Sequence, residues 1–493
     1  MCSRTAVLRT WALLAEAEAS AYMPDEDRVD VMSAEGSRFR GHQRESCEIR
    51  ACDRDVVQPV QKGTTAMVRD FDTALRPHLQ KRLEEIREAD ILIGIPCINN
   101  EDTIEHVVQM VSHGLHTHYR DRRAVVMVAD GGSTDDTRDV VKEFELRPWQ
   151  EKIVTIYRGV GGKGSALRAI FEAAFRLKVR ACACVDSDLR SINPDWVKYL
   201  LEPVLERDFE FVAPVYSRYK YDGTITNNIV YNLVRALYGK RIRQPIGGDF
   251  AFSHRLARHY LEQEVWTTDI ARFGIDIWMT TNAIVENAKV CQANLGVKVH
   301  DAKDPSEALG PMFRQVCGTF FSLLEQHEQF WLPVAESQPV PTFGMREEIE
   351  PEPVKVNQAR MVQEFKEGMR LFGPVYREIF SDDVWHELER ATALEAGSFV
   401  FPVETWVKLL YELAAKHHHL TDHRMKLLGV MTPLYLGRVA SFITRTRDMN
   451  GAEAEAVVEE QAAIFERLKP YLVDQWQNGH APERLEETLG SQG

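Results

Sequence analysis

The sequence lacks the features that define several large classes of protein. Its longest apolar runs, such as residues 91–96 and 401–415, fall far short of the ~18–20 residues that span a bilayer, so we expect neither export nor a membrane span. Positive charge is in deficit, with 60 Lys and Arg against 74 Asp and Glu. The net charge of −14 argues against nucleic-acid binding through overall charge. A composition of 44% hydrophobic and 27% charged residues excludes fibrous and wholly disordered classes.

Cysteines are few and do not show the paired spacing of a disulfide framework. The 493-residue chain has 8 of them, and only Cys182 and Cys184 stand close together, on one face of a predicted strand. We interpret them as reduced, buried thiols of a cytoplasmic protein.

The hydrophobic pattern divides the chain into parts. Residues 1–66 show no sustained period and are predicted to be a weakly ordered leader without an assigned function. In residues 67–310, short apolar runs alternate with helical patterns, which is typical of a mostly parallel α/β sheet covered by helices on both faces. Helical patterns dominate residues 311–475, which predicts a helical C-terminal domain, and residues 476–493 are predicted to be a tail.

The sharpest motif is Asp186-Ser187-Asp188, which closes the apolar run 181–185. Carboxylates at positions i and i+2 of an extended strand end face the same way, a spacing that suits a divalent cation held between protein and a diphosphate. A single Asp-x-Asp is common and, taken by itself, is more often a solvated strand end, so the metal interpretation depends on support from neighbouring motifs.

Two neighbouring loops carry such support. Asp130 ends an apolar run and is followed by a Gly-Gly-Ser-Thr turn, which fits a capped loop or a contact with a base or ribose. The Gly-rich turn at 159–165 offers backbone N–H groups, a helix N-terminus and the Lys163 ammonium to a diphosphate. This turn also fits Gly-x-Gly-x-x-Gly with Asp186 about 20 residues on, so an NAD-binding oxidoreductase is a competing interpretation.

The order of these motifs resembles that of GT-A nucleotide-sugar glycosyltransferases. Three further segments look like the retaining glucosyl-3-phosphoglycerate synthases and the related mannosylglycerate and glucosylglycerate synthases: residues 244–249, 273–276 and 294–300. The resemblance covers roughly residues 88–305. It implies a GT-A fold, which is Rossmann-like with a mostly parallel sheet, followed here by a mostly α-helical C-terminal domain.

The resemblance also implies a nucleotide-sugar site and a metal site. The positions that match the nucleotide-sugar site are Pro96, Glu101, Asp130, Lys163, Gly164 and Asp186. The positions that match the ligands of Mg²⁺ or Mn²⁺ are Asp186, Asp188 and His300. An imidazole can complete an octahedral site with diphosphate oxygens and water, although a lone histidine after a strand is more often structural. Catalytic roles are implied for Lys163, near the diphosphate, and for Asp276, by the sugar.

An acceptor site is implied after the Asp-x-Asp strand. Its matching positions are Arg218, Gly223, Thr224, Thr226, Gly247 and Gly248. From the residues alone, the threonines are equally well explained as a polar helix cap. The phosphoglycerate enzymes carry an arginine beside the Gly-x-Thr segment, whereas Asp222 precedes Gly223 here. Because a carboxylate would repel a phosphate, unphosphorylated glycerate is favoured as the acceptor.

We therefore predict a metal-dependent retaining glycosyltransferase that moves a hexose from a UDP- or GDP-sugar to D-glycerate or 3-phosphoglycerate. The resemblance further implies a homodimer. The alternatives are a transferase acting on a lipid phosphate or a protein, the oxidoreductase, and an inactive scaffold. The sequence does not distinguish UDP from GDP or glucose from mannose.

Overall fold

A mostly parallel sheet of eight strands is built from residues between 91 and 343. The strands are β1 (Ile91–Cys97), β2 (Ala124–Asp130), β3 (Gln150–Ile156), β4 (Ala181–Cys184), β5 (Phe211–Ser217), β7 (Phe250–Ser253), β8 (Val290–Val297) and β10 (Thr342–Phe343). Their order across the sheet is β10-β8-β5-β7-β4-β1-β2-β3, and only β7 runs antiparallel to its neighbours. A small second sheet pairs β6 (Lys240–Arg241) with β9 (Gln338–Pro339).

The computed structural model describes residues 73–300, 305–344, 351–420, 422–479 and 485, with the backbone alone for 305–309. The leader predicted for residues 1–66 and most of the predicted tail lie outside the described residues. From Thr73 onward the chain belongs to one compact unit. The domain boundaries drawn at residues 310 and 475 stay predictions.

Helices cover both faces of the sheet, as the alternating pattern predicts. They are α1 (Pro77–Ile86), α2 (Ile104–His118), α3 (Thr137–Glu143), α4 (Lys163–Arg176), α5 (Pro194–Glu206), α6 (Tyr231–Tyr238), α7 (His254–Leu261) and α8 (Ile275–Val285). A turn of π-helix (Thr226–Val230) precedes α6, and a 3₁₀ turn (Asp269–Ala271) precedes α8. Strands β1 and β2 are buried along their whole length, which explains their continuous apolar runs. The predicted α/β fold class is confirmed.

The remaining elements are helical. They are α9 (Pro305–Gln326), α10 (Glu328–Trp331), α11 (Gln358–Ile379), α12 (Asp382–Ala391), a 3₁₀ turn (Ala396–Ser398), α13 (Val403–His419), α14 (Arg424–Thr446) and α15 (Gly451–Asn478). We call residues 305–479 the helical region. One hydrophobic cluster joins it to the sheet, with Phe252 and Trp278 on the sheet side and Phe320, Trp406 and Tyr435 from the helices. The helical region therefore shares its core with the α/β part.

Helix α14 is, among the described helices, the one that is long and apolar enough to cross a bilayer. Of its most apolar window, 78% is buried inside the protein. Leu434 and Val439 of this helix are fully buried in the common core. This burial is typical of the core helix of a folded region, and the absence of a membrane span stays a prediction.

The five cysteines within the described residues are all free and buried: Cys97, Cys182, Cys184, Cys291 and Cys317. This confirms the reduced-thiol interpretation for them. The other three cysteines lie outside the described residues.

Candidate active site

A buried network of opposite charges lies at the carboxyl ends of β4 and β8, with Asp186 at its centre. Lys163 Nζ lies 2.8 Å from Asp186 Oδ1, and Lys298 Nζ lies 2.9 Å from Asp186 Oδ2. The side chain of Lys298 is 3% exposed and that of Lys163 is 17% exposed. Burial alone would raise the pKa of Asp186, but the two ammonium groups outweigh it and hold the pKa well below its usual range. Asp186 is therefore a carboxylate clamped between two cations.

Lys298 extends the network to a second carboxylate. Its Nζ also donates to Asp249 Oδ2 at 2.9 Å and to the Gly247 carbonyl at 3.0 Å. Asp249 is fully buried, and it accepts hydrogen bonds from the Tyr216 hydroxyl and, at 2.8 Å, from the Asp186 amide. Burial and the Asp249 charge raise the pKa of Tyr216, which keeps its hydroxyl protonated as a donor. These donors satisfy the hydrogen-bonding capacity of a buried carboxylate, and the bond from the Asp186 amide fixes the backbone there.

Lys163 links the network to a third carboxylate. It is the first residue of α4, and its Nζ lies 3.3 Å from Asp276 Oδ1 in the first turn of α8. Burial raises the pKa of Asp276 more than the neighbouring lysine lowers it. A Cβ on Gly164 would lie 1.8 Å from the Ile270 carbonyl oxygen, so only glycine lets α4 begin this close to the segment before α8. That close approach brings Lys163 and Asp276 together.

A fourth group of charges borders this network. Asp222 Oδ2 lies 3.2 Å from Arg218 NH1 and 3.5 Å from His300 Nε2. Burial would raise the pKa of Asp222, but Arg218 and His300 hold it below its usual range.

Asp188 forms no hydrogen bond or ion pair with the other described residues. Burial, and then repulsion from Asp186, raise the pKa of Asp188. Asp188 is thus an acid whose charge the protein leaves only partly compensated.

The predicted metal triad does not come together as a preformed site. Within the described stretches of chain, no three His, Cys, Asp or Glu side chains are grouped so as to hold a metal ion. Asp186 is paired with lysines, and His300 lies against Asp222. The site nevertheless holds five carboxylates, counting Asp249 and Asp276, against the three cations Lys163, Lys298 and Arg218. This oxygen-rich, anionic surrounding of Asp188 fits a hard divalent cation, and ligation by Asp188 and His300 stays a prediction.

The predicted nucleotide residues lie at the ends of β1 and β2. Pro96 is buried in β1. Asp130 is fully buried, and its carboxylate accepts hydrogen bonds from the Gly132 amide at 2.8 Å and the Ser133 amide at 2.9 Å. Glu101 accepts from the Asp136 amide at 2.8 Å, joining the two loops. Both carboxylates therefore organise this edge of the sheet, and their contacts with a nucleotide stay predictions.

The predicted acceptor residues divide into two sets. Gly247 and Gly248 belong to the charge network, because their carbonyls accept from Lys298 and Lys163. The Thr224 hydroxyl instead lies 2.6 Å from the Tyr435 hydroxyl of α14. Thr226 begins the π-helical turn, and Gly223 and Arg218 lie beside it. The structure thus places Thr224 between the candidate site and the helical region.

Residues 92–266 match the family model of Glycosyl transferase family 2. This stretch includes strands β1 to β5 and β7 together with Lys163, Asp186 and Asp249 of the charge network. Residues 92–266 form a glycosyl transferase family 2 domain. The protein is a glycosyltransferase, and the oxidoreductase interpretation of its Gly-rich turn does not fit this family.

Two solved structures show what this glycosyltransferase resembles in three dimensions. Glucosyl-3-phosphoglycerate synthase from Mycobacterium tuberculosis with Mg²⁺ and UDP is 25% identical, covers 49% of this chain and 82% of its own, and has a TM-score of 0.37. The same enzyme with Mn²⁺, UDP-glucose and phosphoglyceric acid is 26% identical, with 51% and 85% covered and a TM-score of 0.37. No curated protein matches the sequence. Both TM-scores lie below 0.5.

Sequence reasoning about this glycosyltransferase missed three members of the network: Lys298, Asp249 and Tyr216. Lys298 lies within a segment that supports the resemblance, two positions before His300 at the end of β8. That i, i+2 spacing could have indicated it, as could the place of Asp249 at the end of the Gly-Gly motif. Tyr216 gave no signal, because a tyrosine in an apolar strand usually serves the core.

We expect Asp188→Asn to make the folded protein more stable at neutral pH while lowering its activity. Because the folded-state pKa of Asp188 is raised, its destabilising effect is absent below the ordinary carboxyl pKa near 4, grows between that pH and the raised folded-state pKa, and is constant above it. Removing the charge should add about 0.5–2 kcal/mol at pH 7.5 and nothing below about pH 4. Urea unfolding at the two pH values checks this, and a loss of stability at pH 7.5 would contradict it.

Proposed function

We propose that this glycosyltransferase moves a hexose, with retention of configuration, from a UDP- or GDP-sugar to a small carboxylate acceptor, D-glycerate or 3-phosphoglycerate, with the help of Mg²⁺ or Mn²⁺. The observation that carries the proposal is the clamp of Lys163 and Lys298 on Asp186 at the carboxyl edge of a family 2 domain. A cytoplasmic location and a homodimer belong to the same proposal.

Lys163 and the start of α4 support the donor side of the proposal. The positive end of this helix and the buried ammonium lie at one place, which favours binding of a diphosphate. As the sugar leaves, negative charge grows on the diphosphate, and fixed positive groups in a buried site stabilise that charge strongly. A divalent cation near Asp188 would supply further stabilisation of the same charge when it is bound.

Arg218 supports the acceptor side of the proposal. Its guanidinium lies against Asp222 and over the Tyr216 ring, at 5.2 Å from the ring centre, beside the Gly223 turn. This ion pair offsets the charge of Asp222, so the repulsion of a phosphate expected from sequence is weaker than a lone carboxylate would give. Both glycerate and 3-phosphoglycerate are therefore retained in the proposal, with Arg218 as the cation nearest to the acceptor acid.

Asp276 supports transfer with retention of configuration. Its carboxylate is buried and paired with the same Lys163 that would face the diphosphate. In this place it can accept a hydrogen bond from a sugar or acceptor hydroxyl and hold the acceptor on the face that the diphosphate leaves. A covalent sugar–enzyme intermediate is not required by this arrangement.

The test is product formation with purified protein. UDP-glucose, GDP-glucose and GDP-mannose are each combined with D-glycerate or 3-phosphoglycerate and with Mg²⁺ or Mn²⁺, and the anomeric configuration of any product is read by NMR. We expect one donor–acceptor pair to react with retention and Asp188→Asn to lose at least about 100-fold in kcat. Metal-dependent nucleotide binding without transfer to either acid would reject this acceptor class and favour a larger acceptor.

A further inference from the structure

The segment that follows β5 has an irregular backbone and carries part of the proposed acceptor site. We call residues 222–228 the acceptor segment. Gly223 adopts a left-handed φ of 70°. The segment then enters the π-helical turn Thr226–Val230, a conformation that is rare and frequent at functional sites. Such a backbone needs support from its surroundings.

The helical region supplies that support from three helices. The Tyr435 hydroxyl of α14 lies 2.6 Å from Thr224 Oγ1. Trp406 Nε1 of α13 donates to the Asn228 carbonyl at 2.8 Å. Gln461 Nε2 of α15 donates to the carbonyl of the residue before Asn228 at 2.9 Å. All these atoms are buried, so the hydrogen bonds do not exchange readily with water.

Arg438 of α14 also contacts the acceptor segment, and this contact is unusual because it buries a cation. It is 1% exposed, and its Nε donates to Asn228 Oδ1 at 3.1 Å while its NH2 donates to the Gln461 carboxamide. In the part of the chain that the structure describes, no carboxylate forms an ion pair with Arg438, and burial lowers its pKa to about 9. Burying an uncompensated cation is costly, and a neutral donor would hold Asn228 at a smaller cost.

A short series of hydrogen bonds connects Arg438 to the candidate site. The Asn228 side chain, which accepts from Arg438, donates through Nδ2 to the Thr224 carbonyl at 3.0 Å. Thr224 follows Gly223 and Asp222, and Asp222 is the carboxylate that pairs with Arg218. The position of this charged pair is thus tied to α14 through the acceptor segment.

We propose that the helical region positions the acceptor segment for glycosyl transfer, with Tyr435 acting on Thr224 and with Arg438 acting through Asn228 as positioning residues. The identity of the acceptor rests on the proposed function, whereas the hold of the helices on the segment does not. If the proposal is correct, loosening these contacts weakens the use of the acceptor and spares donor binding, because Lys163 and Asp186 lie on other elements.

The first test compares two tyrosines that each lose one buried hydroxyl. Tyr435→Phe keeps the ring that stacks on Phe313 at 4.7 Å but removes the bond to Thr224. The control, Tyr376→Phe, removes a 2.5 Å bond to the Val430 carbonyl of the same helix α14, a bond in which no residue of the acceptor segment takes part. We expect Tyr435→Phe to raise the acceptor KM by about tenfold and the control to change it by less than about twofold, with similar losses of Tm.

The second test varies the charge of Arg438. Arg438→Met should raise the acceptor KM by about 10–100-fold while the donor KM stays within about twofold, because the Asn228 side chain loses its buried donor. Arg438→Lys should recover part of that loss, since an ammonium can still donate to Asn228. A residue with a purely structural role would change Tm without separating the two KM values.

Amide exchange separates the failure of this inference from that of the proposed function. The Asn227 amide donates to the Gly223 carbonyl at 2.9 Å, so its exchange reports on the acceptor segment in the full chain without any acceptor. We expect faster exchange there in Tyr435→Phe and Arg438→Met than in Tyr376→Phe. If the wild type transfers to neither acid, the proposed function fails and exchange alone decides the inference. Unchanged exchange, or faster exchange with unchanged acceptor KM in an active enzyme, overturns it.

Discussion

Lys298→Met is expected to lower the free energy of unfolding by about 3–5 kcal/mol, because it leaves buried carboxylates without their shared cation. Methionine has nearly the shape of lysine, so packing is retained while the hydrogen bonds to Asp186, Asp249 and the Gly247 carbonyl are lost. Activity should fall by at least about 100-fold, since Asp186 then moves relative to Lys163. Urea unfolding and initial rates with the reactive donor–acceptor pair measure the two effects.

The matched control is Lys289→Met at the other end of the same strand, β8. The side chain of Lys289 is 63% exposed and pairs with Asp208, which is itself 86% exposed. Exposed ion pairs contribute little, so we expect stability and activity close to those of the wild type. If Lys298→Met loses as little stability and activity as Lys289→Met, Lys298 acts as an ordinary surface lysine and the prediction is wrong.

Acid titration gives Lys298→Met a second signature. Because Lys163 and Lys298 depress the folded-state pKa of Asp186, the stability from this carboxylate is fully present above the ordinary carboxyl pKa near 4 and is lost as the pH falls further. With one ammonium removed, that depression is smaller. As the pH falls below 4, the free energy of unfolding should therefore decrease less in the variant than in the wild type. The difference should be about the contribution of one carboxylate, Asp186.

The sheet could be predicted in part because two of its strands, β1 and β2, are continuous apolar runs in the sequence. The runs of β1 and β2 are buried throughout, so the sequence pattern and the structure agree there. The position of β7, inserted antiparallel between β4 and β5, could not be predicted. Strand order depends on packing between segments that are distant in the sequence. The four residues of β7 have no pattern that indicates which strands pair with it.

The candidate site shows the same division between local and distant information. Asp186 and Lys163 were predicted because each follows or begins an element with a clear local motif, and the structure does place them 2.8 Å apart. The contact of Thr224 with Tyr435 joins residues 211 positions apart, and no local pattern signals it. The Thr224 hydroxyl, which the family resemblance assigned to the acceptor site, forms a hydrogen bond to the helical region in the structure.

Gly248→Ala is expected to lower activity by at least about 100-fold, because the new methyl group would displace the Asp186 carboxylate. Gly248 has a φ of 94°, and a Cβ built there lies 2.1 Å from Asp186 Oδ2. The carboxylate cannot yield without breaking its bonds to both lysines. Overpacking of this kind costs about 1–3 kcal/mol in addition to the cost of the backbone conformation. Initial rates and urea unfolding measure the two losses.

Gly132→Ala separates these two costs. Gly132 has the same φ of 94°, but no heavy atom lies within 4 Å of a Cβ built there, and alanine keeps the amide that bonds Asp130. This variant should therefore lose only the about 1–2 kcal/mol of a left-handed alanine. The difference in unfolding free energy between the two variants measures the collision with Asp186. If both lose the same stability, Asp186 is free to move, and its clamp between Lys163 and Lys298 is weaker than the geometry indicates.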